Sequence, residues 1–155
     1  MKKAIISITI IFVLFLSFAI SMAGGHPTKK EVVSFVEEGA AYAKKHGKTA
    51  FLKEIMNDNG NFKRGELYFY AYDFEGTVLS HGGNPKLVGE NLIDFEDKTG
   101  FKLITALRDT AAAGGGWVEY YWENPVSKKM EKKLGYVVKL DDTCWFGSGT
   151  YVPKE

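Results

Sequence analysis

Tyr68, Tyr70 and Tyr72 stand at every second position of the stretch Glu66-Leu-Tyr-Phe-Tyr-Ala-Tyr-Asp73. Side chains two apart on an extended chain share one face, and aromatic residues favour strands, so this stretch is predicted to be a β-strand with a phenol-rich side. Turn residues Asp73-Phe-Glu-Gly76 follow at once, and Thr77 to His81 supplies a return strand. Further strands are predicted at Trp117 to Trp122, Met130 to Leu140 and Thr143 to Val152, with Asn124-Pro125 and Asp141-Asp142 at the turns between them. Strands joined by short turns imply an antiparallel sheet, here of about five strands.

The segments ahead of and between the strands read as helices. Thr28-Lys29-Lys30-Glu31 is a capping box, in which the threonine hydroxyl and the glutamate carboxylate satisfy helix-start amides. Val32, Val33, Phe35, Val36, Ala40 and Ala43 then recur at spacings of three and four, and His46-Gly47 is a stop. Phe51, Leu52, Ile55 and Met56 mark a second, short helix, ended by the turn residues Asn57 to Gly60. Residues 86–100 read as an irregular connection. Phe101, Ile104, Leu107 and Ala111 predict a third helix, stopped by Gly114-Gly115-Gly116. The fold class is therefore α+β, with the long N-terminal helix packed along one face of a central antiparallel sheet.

The N-terminus carries an address. Lys2 and Lys3 precede an almost wholly apolar run from Ala4 to Ile20, and Ser21-Met22-Ala23 offers small residues at a peptidase spacing. Residues 1–23 are expected to be a signal peptide and residues 24–155 a single exported domain, periplasmic or extracellular. An N-terminal membrane anchor is the alternative, because the run is close to the shortest that can span a bilayer. Removing residues 1–23 takes two lysines and no acid from a chain with 20 basic and 19 acidic residues, so the remainder is close to neutral. A near-neutral domain has no electrostatic footprint for nucleic acid. The single cysteine, Cys144, cannot form an internal disulfide and lies beside Trp145 and Phe146, as a buried thiol would.

Catalytic patterns fail one by one. Ser80-His81-Gly82-Gly83 faintly suggests an oxyanion loop, but no Gly-x-Ser-x-Gly elbow supplies a nucleophile. The three histidines have no metal-ligand spacing. In Asp94 to Gly100 the glycine comes one place too late for a calcium loop. The glycines 114–116 are not followed by the Lys-Ser/Thr of a phosphate loop. The expectation is a protein that is not an enzyme and holds no cofactor and no metal.

Several motifs in order resemble a known family. Leu67-Tyr-Phe-Tyr-Ala-Tyr-Asp73, Gly76, Leu79-Ser-His81 and Asn84-Pro-Lys-Leu-Val-Gly-Glu-Asn-Leu92 are followed by Gly115-Gly-Trp-Val-Glu-Tyr120 and Trp122-Glu-Asn-Pro125. Lys133, Tyr136, Trp145 and Gly149-Thr-Tyr151 complete the series. The set resembles the single Cache domain of type 2, over roughly residues 30–152. The family pattern has His-Pro where this chain has His81-Gly82. The resemblance implies a PAS-like fold and an extracytoplasmic sensor for a small organic acid. It also implies a membrane receptor or histidine kinase as partner. With no second membrane span and no signalling domain in the sequence, the protein is expected to be freestanding, with a weak homodimer as a further option. The alternative is an interaction module that docks on a receptor or kinase without a ligand of its own.

The candidate ligand residues are Tyr68, Tyr70, His81, Trp117, Tyr120, Lys133 and Tyr136. Buried phenols need hydrogen-bond partners, and a bound carboxylate could be one. Lys133 by itself reads as part of the basic group Lys128, Lys129 and Lys132; the resemblance implies instead a half-exposed lysine that faces an acid. His81 closes its strand at a glycine loop. Strand parity separates Trp117 from Tyr120, and Lys133 from Tyr136, so without a bulge only one of each pair can line a pocket. Tyr120 and Lys133 are preferred, while Trp122, Trp145 and Tyr151 are expected in the core.

Overall fold

The computed structural model describes residues 25–152. The segment read as a signal peptide or anchor lies outside the described residues. Helix α1 spans Lys29–His46 and opens with the capping box, both hydrogen bonds of which are present between Thr28 and Glu31. It ends at Gly47, whose φ of 85° lies in the region that favours glycine, and α2, Lys48–Ile55, begins at the next residue.

Two short strands, β1 (Lys63–Arg64) and β2 (Leu67–Tyr68), form a small hairpin of their own. The single strand expected over residues 66–73 is therefore interrupted at Phe69, and its second half is β3, Tyr70–Asp73. The turn at Gly76 leads into β4, Val78–His81. Residues 82–102 hold one 3-10 turn at Pro85–Leu87 and otherwise run as a strap. Helix α3, Leu103–Ala112, starts later than the periodicity suggested. The Asp97 carboxylate accepts the backbone N–H groups of Thr99 and Phe101, which holds Phe101 outside the helix and partly exposed. Strands β5 (Gly116–Glu123), β6 (Met130–Lys139) and β7 (Cys144–Tyr151) complete the chain.

The main sheet has five strands in the order β4-β3-β7-β6-β5, each pair antiparallel. The last strand, β7, thus sits at the centre, and all its residues from Cys144 to Tyr151 are buried. Helices cover both faces. On one, Val32, Phe35 and Val36 of α1 pack with Phe51 and Ile55 of α2 against Phe69 and Phe146. Gly39 lets α1 lie close, since a methyl group there would come within 2.7 Å of the Phe69 ring. On the other face, Leu103, Ile104, Leu107 and Ala111 of α3 cover Tyr70, Tyr72, Val137 and Trp145. The edge strand β5 is tied to the strap, because Asp97 also accepts the Tyr121 N–H at 2.9 Å. Cys144 is a buried free thiol.

Candidate ligand-binding site

The site grows from the α3 face of the sheet. In the strand register Lys133 of β6 stands between Tyr120 of β5 and Tyr151 of β7. Two rows further on the same face, beyond Gly135 and Gly149, Tyr70 of β3 pairs with His81 of β4 and with Gly147 of β7. Glycines make the floor: a methyl group on Gly135 would lie 2.8 Å from both Tyr70 Oη and Tyr120 Cε1. Small residues under the rings are what allow several phenols to crowd into one layer.

Lys133 is wholly buried rather than half-exposed. Its Nζ donates to Tyr68 Oη at 2.8 Å and lies 4.0, 5.0 and 5.5 Å from the ring centres of Tyr68, Tyr151 and Tyr70. Ring faces attract a cation but do not replace a counter-ion. Burial pulls the amine down from 10.5 to about 7, and the negative charge of Glu66 acts weakly the other way.

The phenols form two donor chains. Tyr151 Oη donates to the Glu123 carbonyl at 2.8 Å, so it accepts the longer contact, 3.4 Å, from Tyr68. Tyr120 Oη donates to Tyr70 Oη at 3.3 Å, which donates to the Ser148 carbonyl at 3.3 Å. Burial raises the pKa of Tyr68, Tyr70, Tyr72, Tyr120 and Tyr151, so all stay neutral.

His81 completes the wall. Its Nδ1 accepts the Asn84 N–H at 2.9 Å, which assigns the ring proton to Nε2. Burial and the Lys133 charge push its pKa from 6.5 to about 3, so the ring is a neutral donor. Trp122 lies 5.9 Å from the His81 ring, and Phe95 of the strap meets the edge of Trp122 at 5.8 Å. The space between sheet and helix is about 10 Å³ and is bounded on the helix side by Leu103, Ile104 and Leu107. That holds about one water, so any larger molecule requires the wall to move outward.

Tyr68, Tyr70, His81, Tyr120 and Lys133 therefore come together. Trp117 and Tyr136 do not. They pair with each other on the α1 face, rings 5.0 Å apart, with Lys29 Nζ 5.2 Å above the Trp117 ring. The β5–β6 register runs from Gly116 to Glu123 without a bulge, so the parity that separates them from Tyr120 and Lys133 is kept. Sequence reasoning missed three wall residues. Trp122 shares the parity of Tyr120, and Tyr72 that of Tyr70, which could have placed both. Tyr151 joins only through the pairing of β7 with β6. Among the described residues no group of His, Cys, Asp and Glu is arranged to hold a metal ion.

The family model for single Cache domain 2 matches residues 31–152. The chain belongs to the single Cache domain 2 family. This Cache domain is 38% identical over 86 residues to the sensor histidine kinase MctS of Rhizobium johnstonii, a match covering 55% of the chain and only 19% of the kinase. A crystal structure of a methyl-accepting chemotaxis protein from Vibrio parahaemolyticus superimposes with a TM-score of 0.70 at 28% identity, covering 79% of this chain and 87% of that one. A Cache chemosensory domain described for its carboxylic acid recognition shares the fold, with a TM-score of 0.61 at 24% identity over 77% and 85% of the two chains. The protein is thus a sensor-type domain, homologous to the sensor domains of histidine kinases and chemoreceptors. No helix among the described residues is long and apolar enough to cross a membrane.

Proposed function

We propose that this Cache domain binds a small organic acid outside the cytoplasm, without catalysing a reaction, and presents the occupied state to a membrane receptor or histidine kinase. The observation that carries the reading is Lys133: a fully buried amine whose hydrogen-bond partner is a phenol. A buried cation without a carboxylate is costly, and an incoming carboxylate removes that cost. Lys133 supplies the charge-assisted bond, His81 Nε2 a neutral donor, Tyr68 a second one if its hydroxyl turns from the long 3.4 Å contact with Tyr151, and Leu103, Ile104 and Leu107 meet an apolar tail. The fold shared with a domain described for carboxylic acid recognition supports the same class.

The small volume, about 10 Å³, is the observation that favours the other reading, a docking module with a collapsed pocket. A thermal-shift screen with acetate, propionate, lactate, pyruvate, succinate and a set of amino acids separates the two. A ligand that binds only the native state raises the melting temperature. A rise with one or more monocarboxylates is expected. No rise at millimolar concentration with any of them supports the docking module. For an acid of about six heavy atoms the ceiling is roughly 1.5 kcal/mol per atom, which caps affinity near micromolar. Export is tested by sequencing the N-terminus of protein from the extracytoplasmic fraction, expected near Gly24.

A further inference from the structure

We propose that the site takes up its acid together with a proton: the anion binds, and in the same step Lys133 gains a proton from solvent, so that a neutral amine becomes the ammonium partner of the carboxylate. The inference rests on the reading of this cluster as a carboxylate site and adds a coupling to it.

Among the described residues the hydrogen-bond partner of Lys133 is the Tyr68 phenol, and no carboxylate pairs with the amine. Glu66 precedes β2 and is the charge that acts on the amine, but its oxygens hold other donors. Oε2 takes His26 Nδ1 at 2.8 Å and Oε1 takes the Asn124 amide at 2.6 Å. Every strand packed against Lys133 faces it with an uncharged group: Tyr68 from β2, Tyr70 from β3, His81 from β4, Tyr120 from β5 and Tyr151 from β7. Helix α3 brings only apolar side chains to the cavity, and its Arg108 and Asp109 pair with each other outside. On β6 itself, Glu131 shares the face of Lys133 but its carboxylate accepts from Asn124 at 2.8 Å and Ser127 at 3.0 Å, and Lys132 is bonded to Glu119. A wholly buried amine in such surroundings holds its proton weakly, and burial places its pKa at about 7.

The sign follows from linkage. A bound carboxylate stabilises the charged amine and raises its pKa, so binding consumes a proton at any pH between the empty and the occupied values. Below about pH 7 the amine is already charged, and affinity is flat. Above it the competent fraction falls tenfold per unit, so affinity between pH 6 and pH 9 should drop about 100-fold.

The test is calorimetry of propionate with the unmodified protein at pH 6, 7, 8 and 9, repeated at pH 8 in two buffers of different ionisation enthalpy. The expected result is that loss of affinity, with close to one proton taken up per acid at pH 8. A second measurement needs no ligand. In the carbon NMR spectrum of the empty protein, one lysine ε-methylene signal, shifted by the surrounding rings, should titrate near neutrality. A dissociation constant steady within twofold from pH 6 to pH 9 with no buffer dependence overturns the coupling and leaves the carboxylate site standing. So does a set of ε-methylene signals that all titrate above pH 9. If propionate gives no heat at any pH, the reading of the site fails and takes the coupling with it.

Discussion

Lys133 Nζ and Tyr68 Oη meet at 2.8 Å although their strands, β6 and β2, lie in different sheets and share no pairing. The contact spans 65 positions of sequence and both groups are buried. It closes one end of the phenol layer, with Tyr151 on the neighbouring strand 5.0 Å from the amine.

Substituting Lys133 tests the anchor. Lys133→Met keeps most of the stem and removes the charge. Losing a charged hydrogen bond to a desolvated ligand costs about 2–4 kcal/mol, so affinity for the acid with the largest thermal shift should fall roughly 30- to 1000-fold. Because Lys133 is wholly buried, replacing it with an apolar side chain of similar volume should leave stability unchanged or higher. Lys128→Met, on the exposed turn before β6, should change affinity less than twofold. Calorimetry with both variants decides, and equal small effects would remove Lys133 as the anchor.

His81 should make stability depend on pH in the acid range. Its pKa is near 6.5 unfolded and about 3 folded, so the unfolded chain binds the extra proton between those values. Stability from this residue is therefore complete above pH 6.5 and declines as pH falls toward 3. From pH 7 to pH 5 the loss should be about 2 kcal/mol, at roughly 1.4 kcal/mol per unit below 6.5. His81→Gln lacks that loss. Urea unfolding of both proteins at pH 7 and pH 5 isolates the difference, and parallel curves would mean that His81 titrates normally.

Gly39→Ala sets two effects against each other. Alanine in a helix interior gains about 1 kcal/mol over glycine by propensity. The added methyl group would lie 2.7 Å from Phe69 Cζ and 3.1 Å from Phe146 Cε2, both in the packed layer under α1. Overpacking costs about 1–3 kcal/mol, so the net change should be destabilising. Denaturant midpoints of the two proteins measure it. A higher midpoint for the variant would show that α1 can rise off the sheet without loss.

What the sequence determined by itself is everything carried by local pattern. The capping box at Thr28 and Glu31, the stop at Gly47 and the turn at Gly76 follow from backbone chemistry within a few residues, and each is present. The alternation in strands sorted Tyr120 from Trp117 and Lys133 from Tyr136, because side-chain parity survives wherever no bulge intervenes. The family motifs pointed to the fold class. The tertiary structure alone decided what those faces meet. The last strand inserts between β3 and β6, and that pairing sets Tyr151 beside Lys133 and places glycines beneath the phenols. No local pattern encodes it, since the partners are distant in the chain. Lys133 shows the same limit. Its neighbours Lys128, Lys129 and Lys132 read as a solvated basic group, yet alternation turns Lys133 inward, where the phenol rings of the surrounding strands exclude water from it. Burial is a property of the assembled layers, and with burial come the lowered pKa and the missing counter-ion.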